Sequence, residues 1–200
     1  MRKKSHVSLA VYLINNLDSG LLINHRKAFI IGSILPDCKP SFVTTKHNME
    51  ETFDMVSSFI SQLTVDSADY RRISTAYCRR LGEVTHYIAD YFTYPHNSVF
   101  EGNIKEHCKY EKGLMSALKD YINSGQIYVN RNIVNGFSSP EDICVFIKKL
   151  HAQYIDSENT VDNDCKYIVA LCHIIVEGIL KLLIESRSME LAGYLSPNAA

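Results

Sequence analysis

The sequence predicts an all-α, single-domain bundle of about seven helices, and three observations carry that prediction. Apolar residues recur at intervals of three and four along nearly the whole chain. Period-two alternation, the mark of a half-buried strand, is almost absent. Two hundred residues with 46% hydrophobic content suffice for one core. The domain is expected to span 1–190, followed by a tail at 191–200.

The first helix is expected from Ser5, as its N-cap, to Leu17, with Ala10, Leu13, Ile14 and Leu17 facing the core and His6 at the upstream end of that stripe. A second runs from His25 to Ile34. Because a proline disfavours helical backbone in the residue before it, Leu35 to Pro40 reads as a constrained loop with Asp37 at its tip. A third, capped by Thr44 or Thr45, covers Lys46 to Leu63 and buries Met49, Phe53, Val56, Ile60 and Leu63; His47 falls on its opposite side and reads as exposed. A fourth begins near Ser67 or Ala68 and continues to Tyr94, with Leu81, Val84, Thr85, Ile88 and Phe92 on one face and Gly82, His86, Ala89, Asp90 and Thr93 on another. A fifth, Ile104 to Asn123, carries the stripe Ile104, Cys108, Leu114, Met115 and Leu118, into which His107 and Glu111 are inserted. Two more, Glu141 to Tyr154 and Val161 to Ser186, complete the fold.

The formal net charge is −1, so no global attraction draws the chain to nucleic acid, and no stable nucleic-acid partner is expected. The six cysteines show no CxxC spacing and read as buried apolar groups in a reducing compartment, neither a disulfide framework nor a thiolate metal site. Asn15, Asn16 and Asp18 interrupt the first apolar run, which argues against a signal peptide and for a cytoplasmic location. The run Ile168 to Ile184 contains His173, Glu177 and Lys181, so it reads as a core helix and no transmembrane segment is expected.

The chemistry concentrates in Leu81 to Glu111. His86 with Asp90, and His107 with Glu111, lie four apart on helices, where each pair shares a face and can meet one metal ion; His96 follows just after Pro95. A carboxylate on a core-facing stripe needs a cation or several donors, and metal ligation supplies the cation. One such pair is weak evidence, since His173 and Glu177 have the same spacing and read as structural. Nitrogen and oxygen donors suit zinc in a hydrolytic site.

The order His6, Asp37, His47, then HYIAD with a following PH, then HCKYE, resembles the zinc-dependent phospholipase C family, whose fold is related to the fungal and plant zinc nucleases (the phospholipase C/P1 nuclease type). The resemblance spans about residues 5 to 115. It implies two to three Zn²⁺ ions: one on Asp37, His47, His86 and Asp90, a second on His96, His107 and Glu111, a third on His6 sharing Asp90. It also implies hydrolysis of a phospholipid or other phosphodiester by water, with Asp37 as a ligand that doubles as catalytic base or proton carrier. Two departures stand out. Secreted members complete the third site with an N-terminal tryptophan, whereas this chain has none, so the His6 site is weak, empty or completed by another group. Cys38 follows Asp37 where the phosphatidylcholine enzymes have a tyrosine of the choline pocket, so choline specificity is not expected. A zinc nuclease or soluble phosphodiesterase, or a non-catalytic metal-binding module on the same fold, are the alternatives. An HD-type phosphohydrolase is disfavoured, because no adjacent His-Asp dipeptide occurs.

Overall fold

The computed structural model describes residues 1–17, 20–39, 46–64 and 72–195, with side chains to 189. Among the described residues, eight α-helices and three short 3₁₀ turns account for the ordered elements, and no strand occurs. The helices are α1 (Lys3–Asn16), α2 (Arg26–Ile34), α3 (Met49–Thr64), α4 (Thr75–Tyr91), α5 (Ile104–Ser124), α6 (Arg131–Gly136), α7 (Pro140–Ile155) and α8 (Val161–Leu195). The all-α expectation holds; the short α6 is the addition to the expected seven.

Several boundaries move for physical reasons. Helix α1 starts at Lys3, not Ser5, which is buried in its first turn. Leu35 keeps helical backbone (φ −62°, ψ −40°) despite the following proline, because Pro36 opens a 3₁₀ turn, Pro36–Cys38, that continues directly from α2. Helix α4 starts at Thr75, where the Ser74 side chain accepts from the Tyr77 N–H at 3.2 Å; the expected start at Ser67 or Ala68 lies outside the described residues, as do Thr44 and Thr45. Helix α4 stops at Tyr91, and Tyr94–His96 forms a separate 3₁₀ turn. Helix α5 opens on a capping box between Asn103 and Glu106, and α7 on one between Ser139 and Asp142 with Pro140 in its first turn. Helix α8 continues through residues 191–195, which were expected to be tail.

Helix α4 is the hub. Thirteen of its residues, including Leu81, Gly82, Val84, Thr85, His86, Ile88, Ala89 and Asp90, are buried, and α1, α2, α3 and α8 all pack on it. Both expected faces of α4 are therefore internal. Helix α8 is long and apolar enough over Val161–Met189 to cross a membrane by length and composition, but most of that stretch is buried against the other helices, as a core helix requires. The expected stripe of α5 is corrected at its start: Leu114 and Leu118 are buried, whereas Ile104 and Cys108 are exposed. The first turns of α5 face a cavity and not the core. The six cysteines are free thiols, but Cys38 as well as Cys108 departs from the expected burial.

The closest approach is between α2 and α4. A Cβ on Gly82 would lie 2.3 Å from the Phe29 carbonyl oxygen, and one on Gly32 would lie 2.0 Å from that of Arg79. Backbone atoms cannot yield as a flexible side chain can. Gly82→Ala is therefore expected to destabilise the fold by at least about 1–3 kcal/mol in denaturant unfolding, whereas Gly113→Ala, where a Cβ meets nothing within 4 Å, should be neutral or stabilise by up to about 1 kcal/mol. Equal effects would contradict the packing account.

Candidate metal centre

The glycine contact places the end of α2 against His86, one turn beyond Gly82 on α4. The Ser33 carbonyl lies 2.9 Å from His86 Nδ1. A carbonyl only accepts, so Nδ1 carries a proton and donates, and Nε2 points inward. There Nε2 meets Asp90 Oδ2 at 3.2 Å, Asp37 Oδ1 at 3.5 Å and His47 Nδ1 at 2.9 Å. Asp37 arrives on the turn that follows α2, and His47 from the segment just before α3. His47 is buried, not exposed as its wheel position predicts, because it precedes the helix and the wheel does not apply to it. Candidate ligand atoms of Asp37, His47, His86 and Asp90 all lie within 4.8 Å of one another.

A second group assembles beside it. His96 sits on the turn after α4, and His107 and Glu111 on successive turns of α5. His96 Nδ1 is 3.3 Å from the His47 carbonyl, which directs Nε2 toward Glu111 Oε1 at 3.3 Å, and His107 Nε2 is 3.2 Å from the same oxygen. The three ligand atoms again lie within 4.8 Å of one another. Glu111 is half-buried, with His107 the most exposed of the three side chains.

His6 joins through Asp90. Its Nε2 is 3.3 Å from Asp90 Oδ1 but lacks hydrogen-bond geometry, and neither ring nitrogen has a hydrogen-bond partner. The His6 ring stacks on that of His86, centroids 3.9 Å apart. Burial first, then the adjacent His86, push the His6 pKa down to about 3, so the ring is neutral.

Met1 completes this end of the cluster. Its amine donates to Asp90 Oδ1 at 2.8 Å and lies 2.8 Å from His96 Nε2 and 3.0 Å from Glu111 Oε1. Burial opposes its charge, but the Asp90 and Glu111 carboxylates outweigh burial and hold its pKa above the usual value. The reverse holds for Asp90: burial would raise it, while the Met1 ammonium, His96, His86 and His6 together hold it well below the usual carboxylate range. Burial also dominates at Asp37, whose pKa is raised, and at His96, whose pKa is lowered. Residue-type patterning does not mark a terminal amine; the signal that points to it is the resemblance, whose secreted members complete the third site with their N-terminal residue.

The described cluster thus gathers all eight expected residues from α1, the Pro36–Cys38 turn, the approach to α3, α4, the Tyr94–His96 turn and α5. Five of them, Asp37, His47, His96, His107 and Glu111, line a cavity of about 1000 Å³, whereas His6, His86 and Asp90 do not reach it. A family model described as zinc dependent phospholipase C matches residues 5–161.

The chain belongs to the zinc-dependent phospholipase C family.

No curated protein and no solved structure matches the chain. The donor set fits the family's metal. Imidazole nitrogens and carboxylate oxygens converge in each group, and the inward nitrogens of His86 and His96 are aimed by carbonyls on their opposite sides, as histidine ligands commonly are. The unbonded nitrogens of buried His6 fit the same reading. His173, by contrast, meets Glu177 Oε2 at 3.5 Å and the Tyr12 hydroxyl at 3.3 Å, away from the cavity.

One further group holds the second triad in place. Asp164, fully buried at the start of α8, accepts from the Tyr94 N–H at 3.0 Å, the Tyr110 hydroxyl at 3.0 Å and the Tyr154 hydroxyl at 2.7 Å. Tyr94 opens the turn that carries His96, and Tyr110 neighbours Glu111. Asn97 fixes the other end of that turn through the carbonyls of Tyr91 and Thr93 and through His151. Asp164→Asn should weaken zinc at the His96–His107–Glu111 site by about tenfold or more in chelator titrations, and the ion on Asp37, His47, His86 and Asp90 far less. Equal loss at both would reduce Asp164 to a general stabiliser.

Proposed function

We propose that the protein hydrolyses phosphoric esters with zinc, cleaving the phosphodiester of a phospholipid in the phospholipase C manner. The observation that carries this reading is the convergence of both donor groups on one cavity whose mouth is partly apolar. Asp37, His47, His86 and Asp90 would hold one ion, and His96, His107 and Glu111 a second. His6 and Asp90 would hold a third, with the Met1 amine positioned to complete it in a chain whose terminus is free. Zinc held there would lower the pKa of a bound water toward about 7 and neutralise charge on a phosphate oxygen.

The chain's own residues do the rest. Asp37 opens onto the cavity from the Pro36–Cys38 turn, which supports a role as a ligand that would also take and pass a proton at its carboxylate. Asp90, inaccessible to solvent, would link ions without competing for substrate. Phe100 and Ile104 give the mouth an apolar edge beside the second triad, and Ile104 is 74% exposed, which suits a diacylglycerol better than a wholly soluble diester.

Protein purified without added zinc is expected to carry near-stoichiometric zinc by elemental analysis and, when loaded, to release diacylglycerol from short-chain phospholipid. His86→Ala and Asp90→Ala should each abolish both properties, and His173→Ala should leave both intact. Zinc binding with no turnover of phospholipid, bis-p-nitrophenyl phosphate or single-stranded DNA would favour a non-catalytic metal-binding module; turnover of DNA alone would favour a nuclease.

A further inference from the structure

We infer that the site selects phosphodiesters whose headgroup carries no positive charge, such as a polyol or an anionic group, and disfavours choline and ethanolamine. This rests on the phospholipid reading above and adds a specificity that the family assignment does not contain. The evidence is the charge lining the cavity apart from the candidate ligands. Arg2 and Lys3 come from the start of α1 and Lys46 from the segment that carries His47, so cations from two segments line the cavity; among its described residues Glu50 is the acidic side chain that is not a candidate ligand.

Arg2 is fixed as well as charged. Its guanidinium donates to the Cys108 carbonyl at 3.2 Å, on the stretch of α5 between His107 and Glu111. That bond uses one of five donors and leaves the planar fork beside the second triad, a geometry suited to carboxylate, phosphate or vicinal hydroxyl oxygens. Lys46 is exposed and makes no ion pair with a described side chain. A quaternary ammonium needs the opposite surroundings, aromatic faces with carboxylates nearby, and among the described residues lining this cavity Phe100 is the one phenyl or phenol ring.

Tyr94, Phe100 and Tyr110 border a neighbouring hollow together with Glu101, Glu106 and Lys109. None of the candidate ligands lines it. Choline is joined to its phosphate by a two-carbon link, so its ammonium stays close to a phosphate held at the candidate ligands, in the cavity that Arg2, Lys3 and Lys46 line.

The test compares zinc-loaded protein on dihexanoyl phosphatidylglycerol and dihexanoyl phosphatidylcholine, both kept below their micelle concentration so that no charged interface contributes. The glycerol lipid is expected to have a kcat/KM at least about tenfold higher, with the ratio shrinking in high salt. Lys46→Glu, an exposed change outside the ligand set, should lower the ratio several-fold while leaving zinc content unchanged. Arg2→Gln should lower it in the same direction. Equal or faster turnover of phosphatidylcholine, or a ratio indifferent to Lys46→Glu, overturns the inference and leaves the phospholipase reading standing. Zinc-loaded protein that cleaves neither lipid contradicts the phospholipase reading itself.

Discussion

Everything at the centre of this molecule depends on the complete burial of one carboxylate. Asp90 has no solvent contact, and the Met1 amine, His6, His47 and His86 lie within 3.3 Å of its oxygens, with His96 at 3.8 Å. Desolvating a carboxylate costs several kcal/mol unless charge and hydrogen bonds compensate. The neighbouring cationic and imidazole groups supply that compensation, and they come from distant parts of the sequence. The requirement to satisfy Asp90 therefore draws α1, the approach to α3 and the turn after α4 onto the central helix.

The backbone arrangement follows from that demand. Paired glycines let α2 lie against α4 closely enough for the Ser33 carbonyl to fix the His86 ring. The same approach delivers Asp37 on the turn after α2, and the side chain of Lys39 then ties that turn to Glu83 of α4 at 3.0 Å. At the other end of α4, Asp164 and Asn97 hold the Tyr94–His96 turn from both sides. Candidate ligands from separate elements are thus fixed by a few short polar contacts and one steric allowance, the preorganisation that a metal site requires.

The helical class and the core were legible because periodicity reports burial directly, and Phe53, Val56, Ile60 and Leu63 are buried as their spacing predicts. His86 with Asp90, and His107 with Glu111, were legible because their spacing and their geometry are the same fact. His47 was not legible from local pattern, since its burial follows from the segment before α3 packing onto α4. The Ile104 and Cys108 positions misled for a related reason: an apolar stripe marks a face turned away from water, and here the first turns of that face line a cavity. Met1, Ser33 and Asp164 carry no spacing signal, because backbone groups and isolated side chains acquire their roles only through tertiary contact.

The central claim is that the two donor groups are metal sites and not merely a satisfied polar core. Crystals of protein purified without chelator, measured on both sides of the zinc absorption edge, test it most directly. The account predicts anomalous peaks among Asp37, His47, His86 and Asp90 and among His96, His107 and Glu111, with ligand distances of about 2.0–2.2 Å. No peak at either place, with the histidines and carboxylates bonded only to one another after zinc is added, would contradict it.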